Sequence, residues 1–212
     1  MVTDASKVED SYRTLALPSI AESKVQGSKF LAFAYPVESA EEAVAKWKAL
    51  KKGYHDATHH CFAFRLRGGG GEYRSNDDGE PAGTAGRPIL GAIDHAGLTD
   101  IVIIVVRYFG GTKLGVGGLS RAYADAAGEA ILSGTIVERF VMASLEVSFP
   151  HHLTSPVMRT IDSAGAQITG SSYDESAHLQ VRIRASQLTV LANALLEATH
   201  AGATVTTIPP EP

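Results

Sequence analysis

Asp77–Leu90 reads DDGEPAGTAGRPIL, Ile101–Val106 reads IVIIVV, and Arg107–Gly118 reads RYFGGTKLGVGG. The middle piece decides the fold. Six uninterrupted aliphatic residues fall far short of the roughly 20 that a membrane helix needs. They also lack the alternation of a strand with one wet face. They read as a central strand covered on both sides. The pieces on either side hold charge and glycine. Glycine has no Cβ, so backbone there can approach another backbone or a ligand closely. A rigid strand flanked by charged, glycine-rich loops suits a surface site on a scaffold.

Working outward, Pro88 fits the first turn of a helix running to about Ala96. A second helix is expected from near Gly118, with Leu119, Ala122, Tyr123, Ala126, Ala130 and Ile131 on its buried face and Gly134 at its end. Upstream, Cys61–Arg67 alternates as a half-buried strand, the RGGGG of Arg67–Gly71 is a turn, and Glu72–Ser75 can return as a hairpin. Ser39 and Glu42 form an S-x-x-E capping box that opens a helix stopped by Gly53. Ser28–Val37 has strand composition, and residues 1–17 are expected to be loosely ordered.

The pattern shifts near Ser133–Arg139, where a domain boundary is expected, giving domains 18–136 and 137–212. Beyond it, Leu145, Val147 and Phe149 alternate. Leu153, Val157 and Ile161 recur at helical spacing, Ala166–Thr169 reads as a short strand, and Leu179, Val181 and Ile183 alternate again. A helical face at Leu188, Leu191, Leu195 and Leu196 and a strand at Thr204–Ile208 complete a βαββαβ order, which suggests a ferredoxin-like sandwich.

Composition narrows the function classes. The 212 residues carry a net charge of −4. Residues 1–137 hold 15 basic and 16 acidic side chains, and residues 138–212 hold four and seven. Neither part is a bulk nucleic-acid binder. Any polyanion site is local: Val105–Ala124 holds Arg107, Lys113 and Arg121 and no acid. The single cysteine, Cys61, permits no intrachain disulfide, which suits a cytoplasmic location, and the N-terminus lacks the pattern of a secretory signal.

Four groups can carry chemistry. Gly110–Gly118 lies between a strand and a helix, where free N–H groups and the helix dipole attract anions. It fails the phosphate-loop pattern because Val116 follows Gly115, and the dinucleotide pattern because Ser120 stands where the third glycine belongs. A tight strand-to-helix turn explains the same glycines. Asp77, Asp78 and Glu80 can hold Mg²⁺ or act as acid and base, or can cap the next helix and pair with Arg87. His55, His59, His60 and Cys61 resemble metal ligands, but strand alternation leaves at most His59 and Cys61 on one face. Arg107, Tyr108 and Phe109 can stack and pair with a nucleotide, or the rings can fill core while Arg107 pairs with an acid.

THHCFAFRL (Thr58–Leu66), SNDDGEPAGTAGRPIL (Ser75–Leu90) and VVRYFGGTKLGVGGLSRAY (Val105–Tyr123) resemble the IMPACT family of translation-linked proteins. The resemblance spans about Ser28–Gly134, and the remainder is similar to the second domain of bacterial members. It implies an α+β protein: an N-terminal sandwich like domain 2 of ribosomal protein S5, then a ferredoxin-like domain similar to the last domain of elongation factor G. Eukaryotic members restrain a starvation-responsive translation-initiation kinase by competing for its activator, partly through an added RWD domain. With no room for that domain before Ser28, the circuit is not carried over.

These readings give the expectation of a cytoplasmic, non-enzymatic regulator of translation that binds RNA, the ribosome or a translation-associated protein. The anion- or RNA-binding candidates are Arg87, Arg107, Gly110, Gly111, Lys113, Gly115, Gly117, Gly118 and Arg121. The acidic cluster is Asp77, Asp78 and Glu80, and His59 is a further candidate. No cofactor or resident metal is expected. Two alternatives stay open: an enzyme acting on a phosphorylated small molecule with a metal on the acidic cluster, and a purely protein-binding module.

Overall fold

The computed structural model describes residues 10–67 and 71–208. The chain divides into two compact units, one of Arg13–Arg139 and one of Phe140 onward together with the residues up to Tyr12.

In the first unit, β2 (Ser19–Val25), β3 (Ser28–Pro36), β6 (Ile101–Tyr108), β4 (His59–Arg65) and β5 (Tyr73–Asn76) form a five-stranded sheet in that order. Every adjacent pair is antiparallel. β6 is central, and its unbroken apolar run follows from cover on both faces. Ile101, Ile103 and Val105 pack under α2 (Gly86–Ala96) and α3 (Gly115–Leu132), with Ile89, Ile93, Leu119 and Tyr123. Val102 and Ile104 pack on the other face beneath α1 (Ala40–Gly53), with Phe62, Phe64 and Ala43. Each such aliphatic side chain, fully buried, contributes about 1.5–3 kcal/mol.

α1 starts where the capping box placed it. Ser39 Oγ accepts from Glu42 N at 3.1 Å, and Glu42 Oε2 accepts from Glu38 N at 3.1 Å. Of residues 1–17, expected to be loosely ordered, 1–9 lie outside the described residues, and the remainder is more ordered than its polarity suggests. Ser11–Leu15 forms β1, paired in a two-stranded sheet with β7 (Ile136–Phe140), and Ser19–Val25 is an edge strand. Their partners are remote in sequence: Thr14 Oγ1 donates to Asp100 O, and Ser19 Oγ to Ala130 O. Of the expected Arg67–Gly71 turn, residues 68–70 lie outside the described residues.

In the second unit, β8 (Met142–Phe149), α4 (Thr154–Ser163), β9 (Gln167–Tyr173), β10 (Ala177–Arg184), α5 (Leu188–Ala198) and β11 (Thr204–Ile208) follow the βαββαβ order. The sheet order β11-β8-β10-β9, all antiparallel, is ferredoxin-like. Its core is its own, built from Leu145, Val147, Phe149, Val157, Ile161, Leu179, Val181, Ile183, Leu191 and Leu195. β9 continues four residues beyond the expected Thr169.

One consequence of the first sheet positions the site. β5 and β6 each run antiparallel to β4, so they run parallel to one another and leave the sheet at the same end. The helices that follow them, α2 and α3, therefore both begin at that end.

Candidate functional site

The acidic loop between β5 and α2 sends its three carboxylates to three different neighbours. Asp77 caps α2: its carboxylate accepts from Gly83 N at 2.8 Å, Ala85 N at 3.0 Å and Gly86 N at 2.8 Å. Burial opposes this charge, but the three N–H donors and nearby Arg87 outweigh burial and hold the carboxyl below its ordinary range. Asp78, at φ +41°, accepts from His60 N at 2.8 Å and pairs with Lys51 Nζ at 2.8 Å. Gly79, at φ +90°, completes the turn and is one of the positions where glycine is required.

Glu80 turns inward and is buried. Its Oε1 accepts from Arg107 Nη1 at 2.6 Å and from Tyr123 Oη at 2.8 Å. His59 stands beside it, with Nε2 3.8 Å from the same oxygen and Nδ1 2.9 Å from Asp78 O. Among the described residues no three His, Cys, Asp or Glu side chains are placed to hold a metal ion. The His55, His59, His60 and Cys61 run is likewise split, with His60 bonded through Nε2 to Tyr54 O at 3.0 Å. Cys61 is fully buried, its sulfur 3.0 Å from Asp77 O and 3.4 Å from Tyr123 Oη. Burial pushes its thiol well up, so it stays protonated and unreactive.

Arg107, expected on a surface patch, is only 4% exposed. Strand parity is the reason: it continues the Ile101, Ile103, Val105 row that faces α2 and α3. In register it lies between Phe30 of β3 and His59 of β4. Its charge is committed to Glu80, its Nη2 lies 3.3 Å from Ser28 Oγ, and its guanidinium sits 5.6 Å from both the Phe30 and the Phe109 ring centres. Among the described residues Nε has no hydrogen-bond partner. Arg107 therefore supports the site from beneath and cannot meet a polyanion at the surface.

The glycines after β6 separate into two kinds. Gly110 is packed backbone to backbone against Gly27: a Cβ on it would lie 1.9 Å from Gly27 C. Gly111, Gly115 and Gly117 face open space, and Gly118 meets only Leu114. These last three open α3, which has no side-chain cap at Leu114 and no acid in its first turn. Among the described residues no side chain is bonded to its first N–H groups, whereas Asp77 fills the equivalent position on α2. Lys113 precedes this helix start, Arg121 lies in the second turn of the same helix, and Arg87 lies in the first turn of α2. All three are exposed, and among the described residues none makes an ion pair.

Three supports were not visible as site residues in the sequence: Ser28, Thr58 and Tyr123. Thr58 Oγ1 accepts from Phe109 N at 3.1 Å, and Thr58 N donates to Arg107 O at 2.9 Å. Tyr123 was legible as a buried helical position, but nothing local signalled that its hydroxyl reaches Glu80, 43 residues away.

This geometry belongs to a stretch with relatives. Residues 26–131 match the Impact N-terminal domain, and residues 147–201 match a domain of unknown function, DUF1949. An IMPACT family member from Thermus thermophilus is 52% identical over 107 residues, half of this chain and 56% of its own length. The chain thus spans little more than half of that relative. The IMPACT family member YvyE of Bacillus subtilis is 29% identical over 190 residues, 90% of this chain and 88% of its own. A crystal structure of a hypothetical protein superposes with a TM-score of 0.71 at 26% identity, covering 95% of this chain and 99% of that one. From the paired domain matches and relatives along most of its length, the chain is a member of the IMPACT family.

Proposed function

We propose that this protein is a translation-linked regulator that binds RNA, free or on the ribosome, through the start of α3. The observation that carries the reading is the uncapped, acid-free helix start with exposed Lys113 and Arg121 beside it and Arg87 at the same end of the sheet. Backbone N–H groups at such a position take a phosphate oxygen, and nearby cations add attraction for a phosphate chain. The chain's overall charge of −4 makes this a local docking point rather than a general affinity for polyanions. Against the enzymatic alternative, Asp77, Asp78 and Glu80 are each engaged by different protein groups.

The test is RNA affinity measured across a salt series. Removing a cation that neutralises one phosphate should lower the slope of log affinity against log salt by about one. Lys113→Ala and Arg121→Ala should each weaken binding and flatten the slope. Unchanged affinity and slope in both variants would exclude this surface.

A further inference from the structure

Phe109 is 48% exposed, yet its backbone is hydrogen-bonded in place. Its own N–H donates to Thr58 Oγ1. The next N–H, of Gly110, donates to Ser28 Oγ at 3.2 Å, and Gly110 is packed against the backbone of Gly27. An aromatic ring left in water normally sits on a free loop or turns inward to bury its area of roughly 150 Å² or more. Here the backbone is pinned on both sides and the ring still stands out. Behind it lies the Arg107 guanidinium, fixed by Glu80 and Ser28. The ring is thus backed by a buried cation, and about half of the residue is open to solvent. Tyr108, the neighbouring ring, is occupied elsewhere, since its hydroxyl donates to Asp56 at 2.9 Å.

Resting on the RNA reading of the same site, we infer that Phe109 is a stacking platform for an unpaired nucleobase, which makes the ligand single-stranded RNA rather than duplex. The chemistry fits the surroundings. No acid occurs from Val105 to Ala124, so a phosphate next to the stacked base meets Lys113 and the start of α3 without repulsion from its own segment. Gly110, Gly111 and Thr112, between the ring and Lys113, present only small groups, which lets a nucleotide chain lie close to the backbone. A duplex keeps its bases stacked inside and offers no free π-face to the ring.

The experiment compares three probes of equal length: oligouridine, an abasic ribose-phosphate strand and an A-form duplex, each titrated with the full chain. Wild type should prefer oligouridine to both others. Phe109→Leu keeps the apolar bulk and removes the π-face. It should weaken oligouridine binding about tenfold, as expected when one base no longer stacks, and the effect should be confined to the strand that has bases. Phe109→Trp should retain affinity, and its fluorescence should be quenched by oligouridine but not by the abasic strand. Circular dichroism and melting check that both variants fold. An unchanged oligouridine affinity in Phe109→Leu overturns the inference, and so does an equal loss on the abasic strand. Failure of the stacking role is distinguishable from failure of the RNA site. If Lys113→Ala and Arg121→Ala also leave RNA affinity untouched, the RNA site itself is wrong. If they weaken it while Phe109→Leu does not, only the stacking role is.

Discussion

At the scale of single residues, the glycines and the acids of this loop pair make opposite demands that substitution can separate. Gly110→Ala would force a methyl into the backbone of Gly27, 1.9 Å from its carbonyl carbon, so the backbone must shift. We expect a loss of several kcal/mol, in the range of severe overpacking, seen as a large drop in melting temperature. Gly117→Ala adds its methyl to open space in a helix and should stabilise by about 0.4–1 kcal/mol. If both changes are equally harmful, the division of the glycines into packed and open is wrong. Asp77 has a signature in pH. Its folded carboxyl titrates below its ordinary range, so its stabilising contribution is complete above the unfolded value of about 3.9 and is lost as pH falls through the lower folded value. Asp77→Asn should cost about 0.5–2 kcal/mol at neutral pH, as for a lost helix cap. It should also make acid unfolding less steep below about pH 4. An acid limb identical to wild type would remove the cap from the account.

At the scale of elements, the unit that matters is β6 with the Glu80 loop on one side and α3 on the other. Glu80→Leu leaves Arg107 charged and buried without its partner, a change that costs about 3–5 kcal/mol in comparable sites. Arg107→Met alone strands Glu80 in the same way, while Glu80→Leu with Arg107→Met removes both charges and should cost less than either single change. A double-mutant cycle by denaturant unfolding measures this, and additive costs would show that the pair is not coupled. The same element marks what sequence could and could not disclose. IVIIVV declared a central strand, and alternation alone implied that Arg107 shares a face with Val105. That this face lies beneath α3 depends on which strands flank β6, and the flanking pairs β3–β6 and β4–β6 join residues about 36 to 79 positions apart. The surface reading of Arg107 failed there. β2 escaped notice for a related reason: an edge strand whose half-buried positions are Ala21, Ser23 and Val25 shows little hydrophobic contrast. Ser39 and Glu42, by contrast, bond to groups within four residues, so the start of α1 was fully legible.

At the scale of the whole molecule, the apolar clusters do not share a residue across the two units. The clusters around β6 use residues between Leu15 and Ile136, and the ferredoxin-like core uses residues between Leu145 and Val205. No described helix is long and apolar enough to cross a membrane. In the second unit, the two central strands offer no aromatic ring on their open face. The open face of β10 carries His178, Gln180, Arg182 and Arg184, that of β8 carries Ser144, Glu146 and Ser148, and neither presents Phe, Tyr or Trp. Separate cores and a one-sided distribution of site residues lead to a joint prediction for the fragments 1–139 and 140–212. Each should unfold cooperatively by itself, because each retains a complete apolar core. Fragment 1–139 should keep the salt-dependent RNA affinity of the full chain together with its sensitivity to Lys113→Ala. Fragment 140–212 should bind RNA weakly or not at all. Calorimetry and the same salt series decide both halves. If 140–212 carries the affinity while 1–139 folds and does not bind, the RNA surface belongs to the ferredoxin-like unit, and the exposed start of α3 must serve another partner.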